Sequence, residues 1–174
     1  MQTGDTLQGR FRIVRCIARD AGAAAYQAEA LDGGRFCFVD RRSFAAARSL
    51  EKLEAFRRRA GLLSHLQHPG IPAFIDFLEQ ERENDLHLYL VREWVEGRSL
   101  QDLIHSGRRF TEDEAVHLAV DICAVLEYLH SFSPPVIHGA VRPQNILIGV
   151  DGRTWLLFPG RPEAPANAGD EYGY

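Results

Sequence analysis

Cysteine is scarce in this chain and poorly arranged for cross-linking. Cys16, Cys37 and Cys123 are odd in number, lack C-x-x-C spacing and sit inside apolar segments. That pattern argues against a disulfide framework or a thiolate metal site and predicts three reduced, buried thiols. Long apolar runs are missing as well. No stretch approaches the roughly eighteen residues a membrane helix needs, and the opening MQTGDTLQGR has no apolar signal core. No membrane segment is expected, and the chain is assigned to the cytoplasm. Charge of one sign is also lacking: the net charge is −4 and the basic residues are spread out, which argues against a nucleic-acid footprint or a polybasic membrane patch.

What is present is an ordinary globular composition, 174 residues with 45% hydrophobic and 25% charged, enough for one or two small units with a core. The first forty or so residues read as β, because RFRIVRCIA, AAAYQAEAL and RFCFVDR are rich in β-branched and aromatic residues and are separated by Gly and Asp turns. A helix is predicted from about Ser43 to Leu66, with Leu53, Phe56, Ala60 and Leu63 on one face, stopped by His68-Pro69-Gly70. Strands AFIDFLE and LHLYLVREWV follow; Leu86, Leu88, Leu90 and Arg92 share a face by period two.

After Gly97 the pattern turns helical. Ser99 with Asp102, and Thr111 with Glu114, mark two helix starts, the first helix ending at Gly107 and the second carrying Leu118, Ile122, Val125 and Leu129 as a buried stripe. NILIGV and TWLLF read as short strands around the turn Asp151-Gly152. The expected fold is α+β in two lobes, residues 1–96 and 97–158, with a mobile Pro/Ala/Gly-rich tail over 159–174.

Five stretches, LQGRFRIVRCIA, LLSHLQHPGIPAFIDFLE, LYLVREWVEGRSLQDLI, AVDICAVLEYLH and VIHGAVRPQNILI, together resemble in order and spacing a bacterial-type serine/threonine protein kinase domain. The resemblance implies the protein-kinase-like two-lobe fold. It comprises a five-stranded antiparallel N-lobe sheet with the family's αC helix, followed by a partial helical C-lobe that stops short of the family's usual length.

The same resemblance exposes departures at the positions that carry the family's chemistry. Phosphoryl transfer relies on positioning and charge neutralisation. The glycine-rich phosphate loop corresponds to ARDAGAAAY, where Gly22 is the only glycine and Asp20 would repel phosphate. Phe38 stands at the alanine over the adenine and Asp40 at the phosphate lysine; Arg59 stands at the αC glutamate and Arg92 before the hinge. Phe38 and Arg92 are read as occluding the adenine site. Arg59 lies on the apolar helix face, three after Phe56 and four before Leu63, and a buried guanidinium requires a partner. Asp40 is the candidate, giving a structural ion pair of reversed polarity; the other reading has Arg59 snorkelling outward from a solvated RRR run. In the catalytic loop His138 remains, Gly139 replaces arginine, Ala140 the proton-accepting aspartate and Arg142 the lysine, and Asn145 is retained. Phe158 replaces the magnesium-binding aspartate. The tail has no Ser or Thr to accept an activating phosphate, and Tyr172 is read as an anchor.

The expectation is therefore a catalytically inactive, pseudokinase module, regulatory or protein-binding, with no catalytic residue, no metal and no cofactor, neither ATP nor magnesium. A protein partner is expected, with possible self-association through an uncovered face of the second predicted helix. The alternative is a divergent serine/threonine protein kinase, or a nucleotide-binding domain with residual ATP binding. A third possibility is another anion or metabolite beside Phe38 and Arg92.

Overall fold

The computed structural model describes residues 1–45, 50–82 and 85–158. They form two compact units, one of Met1–His65 and Phe74–Trp94, the other of Leu66–Ala73 and residues 95–158.

In the first unit, the β-rich runs become β1 (Thr6–Leu7), β2 (Phe11–Asp20), β3 (Ala23–Ala30), β4 (Phe36–Ala45), β5 (Phe74–Arg82) and β6 (Asp85–Glu93). They form one antiparallel sheet in the order β1-β2-β3-β4-β6-β5, six strands where five are expected from sequence. The added strand has only two residues and no pattern of its own. It exists because Gln8 and Gly9 take left-handed conformations, φ 47° and 66°, folding Leu7 back onto Phe11. The predicted helix begins later than Ser43. Ser43 belongs to β4, where it pairs with His87, donates its hydroxyl to Asp85 and gives its N–H to Gly22 O at 2.9 Å.

Helix α1 runs Leu50–Leu63 and buries Phe56, Ala60 and Leu63, the stripe expected from a 3.6-residue period, while Leu53 is only half-buried. The Phe56 ring packs near Phe44 and Phe77, with centroids 6.4 and 6.1 Å away. On the opposite sheet face Leu7, Phe11, Ile13, Tyr26, Val39 and Tyr89 form a buried core. Strand alternation thus sends Val39 into that core and Asp40 to the helix side, beside the cross-strand neighbours Leu90 and Arg92.

The second unit contains α2 (Leu100–His105), α3 (Glu112–His130) and the strands β7 (Gly97–Ser99), β8 (Ile146–Gly149) and β9 (Thr154–Leu156). The expected hairpin is a three-stranded sheet, order β7-β8-β9. β7 joins because residue 97 lacks a side chain: a Cβ there would lie 2.3 Å from the Ile148 carbonyl oxygen. Both helix starts form. Ser99 Oγ accepts from Asp102 N at 3.0 Å; Thr111 and Glu114 make a reciprocal capping box. Helix α2 closes on Gly107, φ 82°, with its N–H on Ile104 O and that of Arg108 on Leu103 O, a Schellman ending.

Residues 66–73 group with this second unit rather than with the preceding strands. Gln67 donates its N–H to Tyr128 Oη at 2.8 Å, and Gly70 O accepts from Leu156 N at 2.8 Å. In α3, Ile122, Val125 and Leu129 are buried, but Leu118 is only half-buried. The thiol expectation needs correction: Cys37 is buried, whereas Cys16 and Cys123 are exposed. Cys123 follows the buried Ile122 by one residue, and a helix turns about 100° per residue, so it leaves the core side. Among the described residues no helix is long and apolar enough to cross a membrane.

Candidate functional site

The turn between β2 and β3 is tight. Asp20 pairs with Ala23 across it, and the Asp20 carboxylate accepts the Ala21 N–H at 2.8 Å. A side-chain carboxylate thus occupies a backbone donor of the turn that corresponds to the glycine-rich run.

On the helix side of β4 lies a buried cluster of charge. Asp40 is fully buried. Its Oδ1 accepts from Arg42 Nε at 3.2 Å and its Oδ2 stands 3.5 Å from Arg59 Nη2, an ion pair longer than a good hydrogen bond. Arg92, also buried, sets its guanidinium over the Phe38 ring, 5.0 Å from the centroid, and lowers the energy of the Asp40 charge through space. Burial pushes the Asp40 carboxyl above the usual carboxylate range, against the pull of Arg42, Arg59 and Arg92. Burial likewise pushes the Arg59 guanidinium down, while Asp40 pulls it back.

Four of the residues singled out from sequence, Phe38, Asp40, Arg59 and Arg92, therefore meet on one side of the sheet. As a partner of Asp40, sequence reasoning missed Arg42, which makes the shorter contact to it. Its position two places along the same strand was the available signal.

In the second unit, His138, Ala140, Arg142, Asn145 and Phe158 belong to one loop and its neighbouring strand. Gly139 takes φ 71°, a conformation that disfavours side chains. His138 is buried, donates from Nε2 to Leu157 O at 3.1 Å and accepts the Ala140 N–H on Nδ1 at 3.3 Å. This pairing calls for the neutral ring protonated on Nε2. Its ring lies against Phe158, centroids 4.6 Å apart. Asn145 donates its side-chain amide to Ala140 O at 2.9 Å and its backbone carbonyl receives Leu157 N at 2.7 Å. These bonds hold a closed loop with Arg142 on its exposed side, where Arg142 makes no ion pair among the described residues.

The protein kinase domain model matches residues 27–156. The chain belongs to the protein kinase domain family. It is 28% identical to a probable serine/threonine-protein kinase of Streptomyces coelicolor over 97% of this chain and 25% of that protein. It is 31% identical to the serine/threonine-protein kinase PrkC of Bacillus subtilis, over 85% and 22%, and 32% identical to the serine/threonine-protein kinase PknB of Mycolicibacterium smegmatis, over 66% and 18%. The chain spans about a quarter or less of the length of these curated relatives.

Two expectations are overturned here. The reading of a non-enzyme, and the reading of no cofactor, fall against a protein kinase family match and relatives named as serine/threonine-protein kinases at 28–32% identity. Asp40, Ala140 and Phe158 each change one group within a frame that keeps the family's pattern.

For Mg²⁺, this chain's donor set around the loop does not fit. Asn145 has a single side-chain oxygen to offer, its amide nitrogen being turned to Ala140 O, and Ala140 and Phe158 have none. Among the described residues no group of three or more His, Cys, Asp or Glu stands ready for a metal. For the phosphates of ATP the fit is better, because Arg142 presents an unshielded guanidinium, and Arg forks match phosphate oxygens.

Proposed function

We propose that this chain is part of a divergent serine/threonine protein kinase that binds ATP and transfers its terminal phosphate slowly to a protein hydroxyl. The observation that carries the reading is the loop of His138 to Asn145, held closed by side-chain bonds and presenting Arg142 at the position of the family's lysine. Lys52 is the only lysine in the chain, so cations that meet phosphate here are nearly all arginines. Family membership and the names of the relatives support the reaction class. In this reading the hydroxyl oxygen attacks the terminal phosphorus, ADP leaves, and the hydroxyl proton passes to water because Ala140 offers no carboxylate.

A positioned base contributes about 10²–10⁴ in rate, so its loss slows transfer without removing nucleotide binding. The test is ATP titration by calorimetry with and without Mg²⁺, followed by radiolabel transfer to a Ser/Thr-rich protein. The wild type is expected to bind ATP, Arg142→Ala to bind it at least tenfold more weakly, and Ala140→Asp to raise turnover about 10²-fold. No ATP binding by the wild type, or no transfer by either the wild type or Ala140→Asp, would overturn the reading.

A further inference from the structure

We propose that the charge cluster on the helix side of β4 is a binding site for a compact oxyanion of the phosphate or sulfate class, with Arg59 as its principal donor. Among the described residues three guanidiniums, of Arg42, Arg59 and Arg92, act on a single carboxylate. That carboxylate is already engaged: Asp40 Oδ1 takes the Nε of Arg42. Among the described residues Arg59 Nε and Nη2 are buried and find no hydrogen-bond acceptor, Nη2 facing Asp40 Oδ2, itself without a hydrogen bond, as a 3.5 Å ion pair. Buried donors on a charged group demand acceptors, and a tetrahedral oxyanion supplies two oxygens at the spacing of a guanidinium fork.

The surroundings limit both access and size. The Arg59 and Arg42 side chains keep 18% and 26% of their surface exposed while Arg59 Nε and Nη2 themselves are buried, so an anion reaches those donors only as these side chains turn. Phe56 lies under the Arg59 guanidinium, 5.7 Å from carbon to ring centroid, and Phe38 lies under Arg92. Aromatic walls offer no further polar partners, which favours a small anion over a large polar ligand. The site depends on neither nucleotide binding nor transfer at the Arg142 loop.

Inorganic phosphate is the probe, titrated by calorimetry and thermal unfolding at an ionic strength held constant with sodium chloride. Saturable binding and a rise in Tm are expected for the wild type. Arg59→Met should weaken binding at least tenfold, Arg59→Lys should weaken it less, and Asp40→Asn should tighten it severalfold by removing the competing charge. A phosphate effect no larger than that of chloride, or equal binding by Arg59→Met and wild type, would overturn the proposal. If Asp40→Asn does not fold, the two Arg59 variants decide. An ATP titration against saturating phosphate separates the sources: competition that is lost in Arg59→Met assigns the anion to a nucleotide phosphate, and its absence, with phosphate binding intact, assigns a free oxyanion. A failure at Ala140 and Arg142 with phosphate binding preserved would sink only the kinase reading.

Discussion

Replacing Asp40 by Asn keeps the side-chain shape and removes a carboxylate on which Arg42, Arg59 and Arg92 all act. Breaking a buried ion pair by removing one partner costs about 3–5 kcal/mol, because the remaining charge is left uncompensated. Arg42 and Arg59 keep 26% and 18% of their side chains exposed and can turn partly toward water, which places the loss at the lower end, about 3 kcal/mol. With a urea m-value of about 2 kcal/mol per molar, the unfolding midpoint should fall by about 1.5 M. The measurement belongs in phosphate-free buffer, since a bound oxyanion would offset the effect. Arg59→Gln completes a double-mutant cycle. Residues in contact couple by about 0.5–3 kcal/mol, and the double variant should be less destabilised than the sum of the singles by about 1 kcal/mol or more. Exchanging the charges, Asp40→Arg with Arg59→Asp, should be tolerated better than Asp40→Lys alone, which would set a fourth cation among three. An Asp40→Asn variant within about 0.5 kcal/mol of wild type, or an additive cycle, would refute the pairing argument.

Other outcomes follow from single features of the structure. Burial, and secondarily the charge of Asp32, raises the Cys37 thiol to about 11, while Cys16 and Cys123 are exposed; a disulfide reagent at pH 8 should label the latter pair quickly and Cys37 only on unfolding. Fast labelling of all three would contradict the burial. At the start of α3, Thr111→Ala should cost about 1 kcal/mol in denaturant titration. The Thr111 backbone N–H holds Glu114 below its ordinary carboxyl value, so the capping contribution is present above the unfolded value of 4.5 and is lost as pH falls through the lower folded one. A stability profile of Glu114→Gln should lack that acid-side decline. Gly97→Ala would drive a Cβ against the Ile148 carbonyl oxygen and should cost about 2 kcal/mol, read as a fall in Tm; an unchanged Tm would argue against the β7 to β8 contact.

The features legible in the sequence are those controlled by near neighbours along the chain. Period two marks the main strands of the first unit, the spacing of Phe56, Ala60 and Leu63 marks the buried face of α1, and Ser99 and Thr111 mark helix starts through bonds only three residues long. The family resemblance was legible too, in the ordered motifs that end at Ile148. The readings that failed depended on distance or on context. The two-residue strand Thr6–Leu7 and the short strand Gly97–Ser99 are defined by partners far along the chain rather than by their own pattern. Cys16 and Cys123 sit in apolar stretches but on outward sides.

By itself, then, the sequence determined that Phe38 and Asp40 share a side of β4 and that Arg59 lies on the apolar stripe of α1, because backbone periodicity dictates which side of an element each residue faces. Only the tertiary structure decided how those charges pair. Packing α1 across the sheet places Arg59 at 3.5 Å from an Asp40 that Arg42 already holds at 3.2 Å, and so leaves two buried Arg59 donors without acceptors among the described residues. Distances of that kind depend on where two elements meet in space, and no local pattern encodes them.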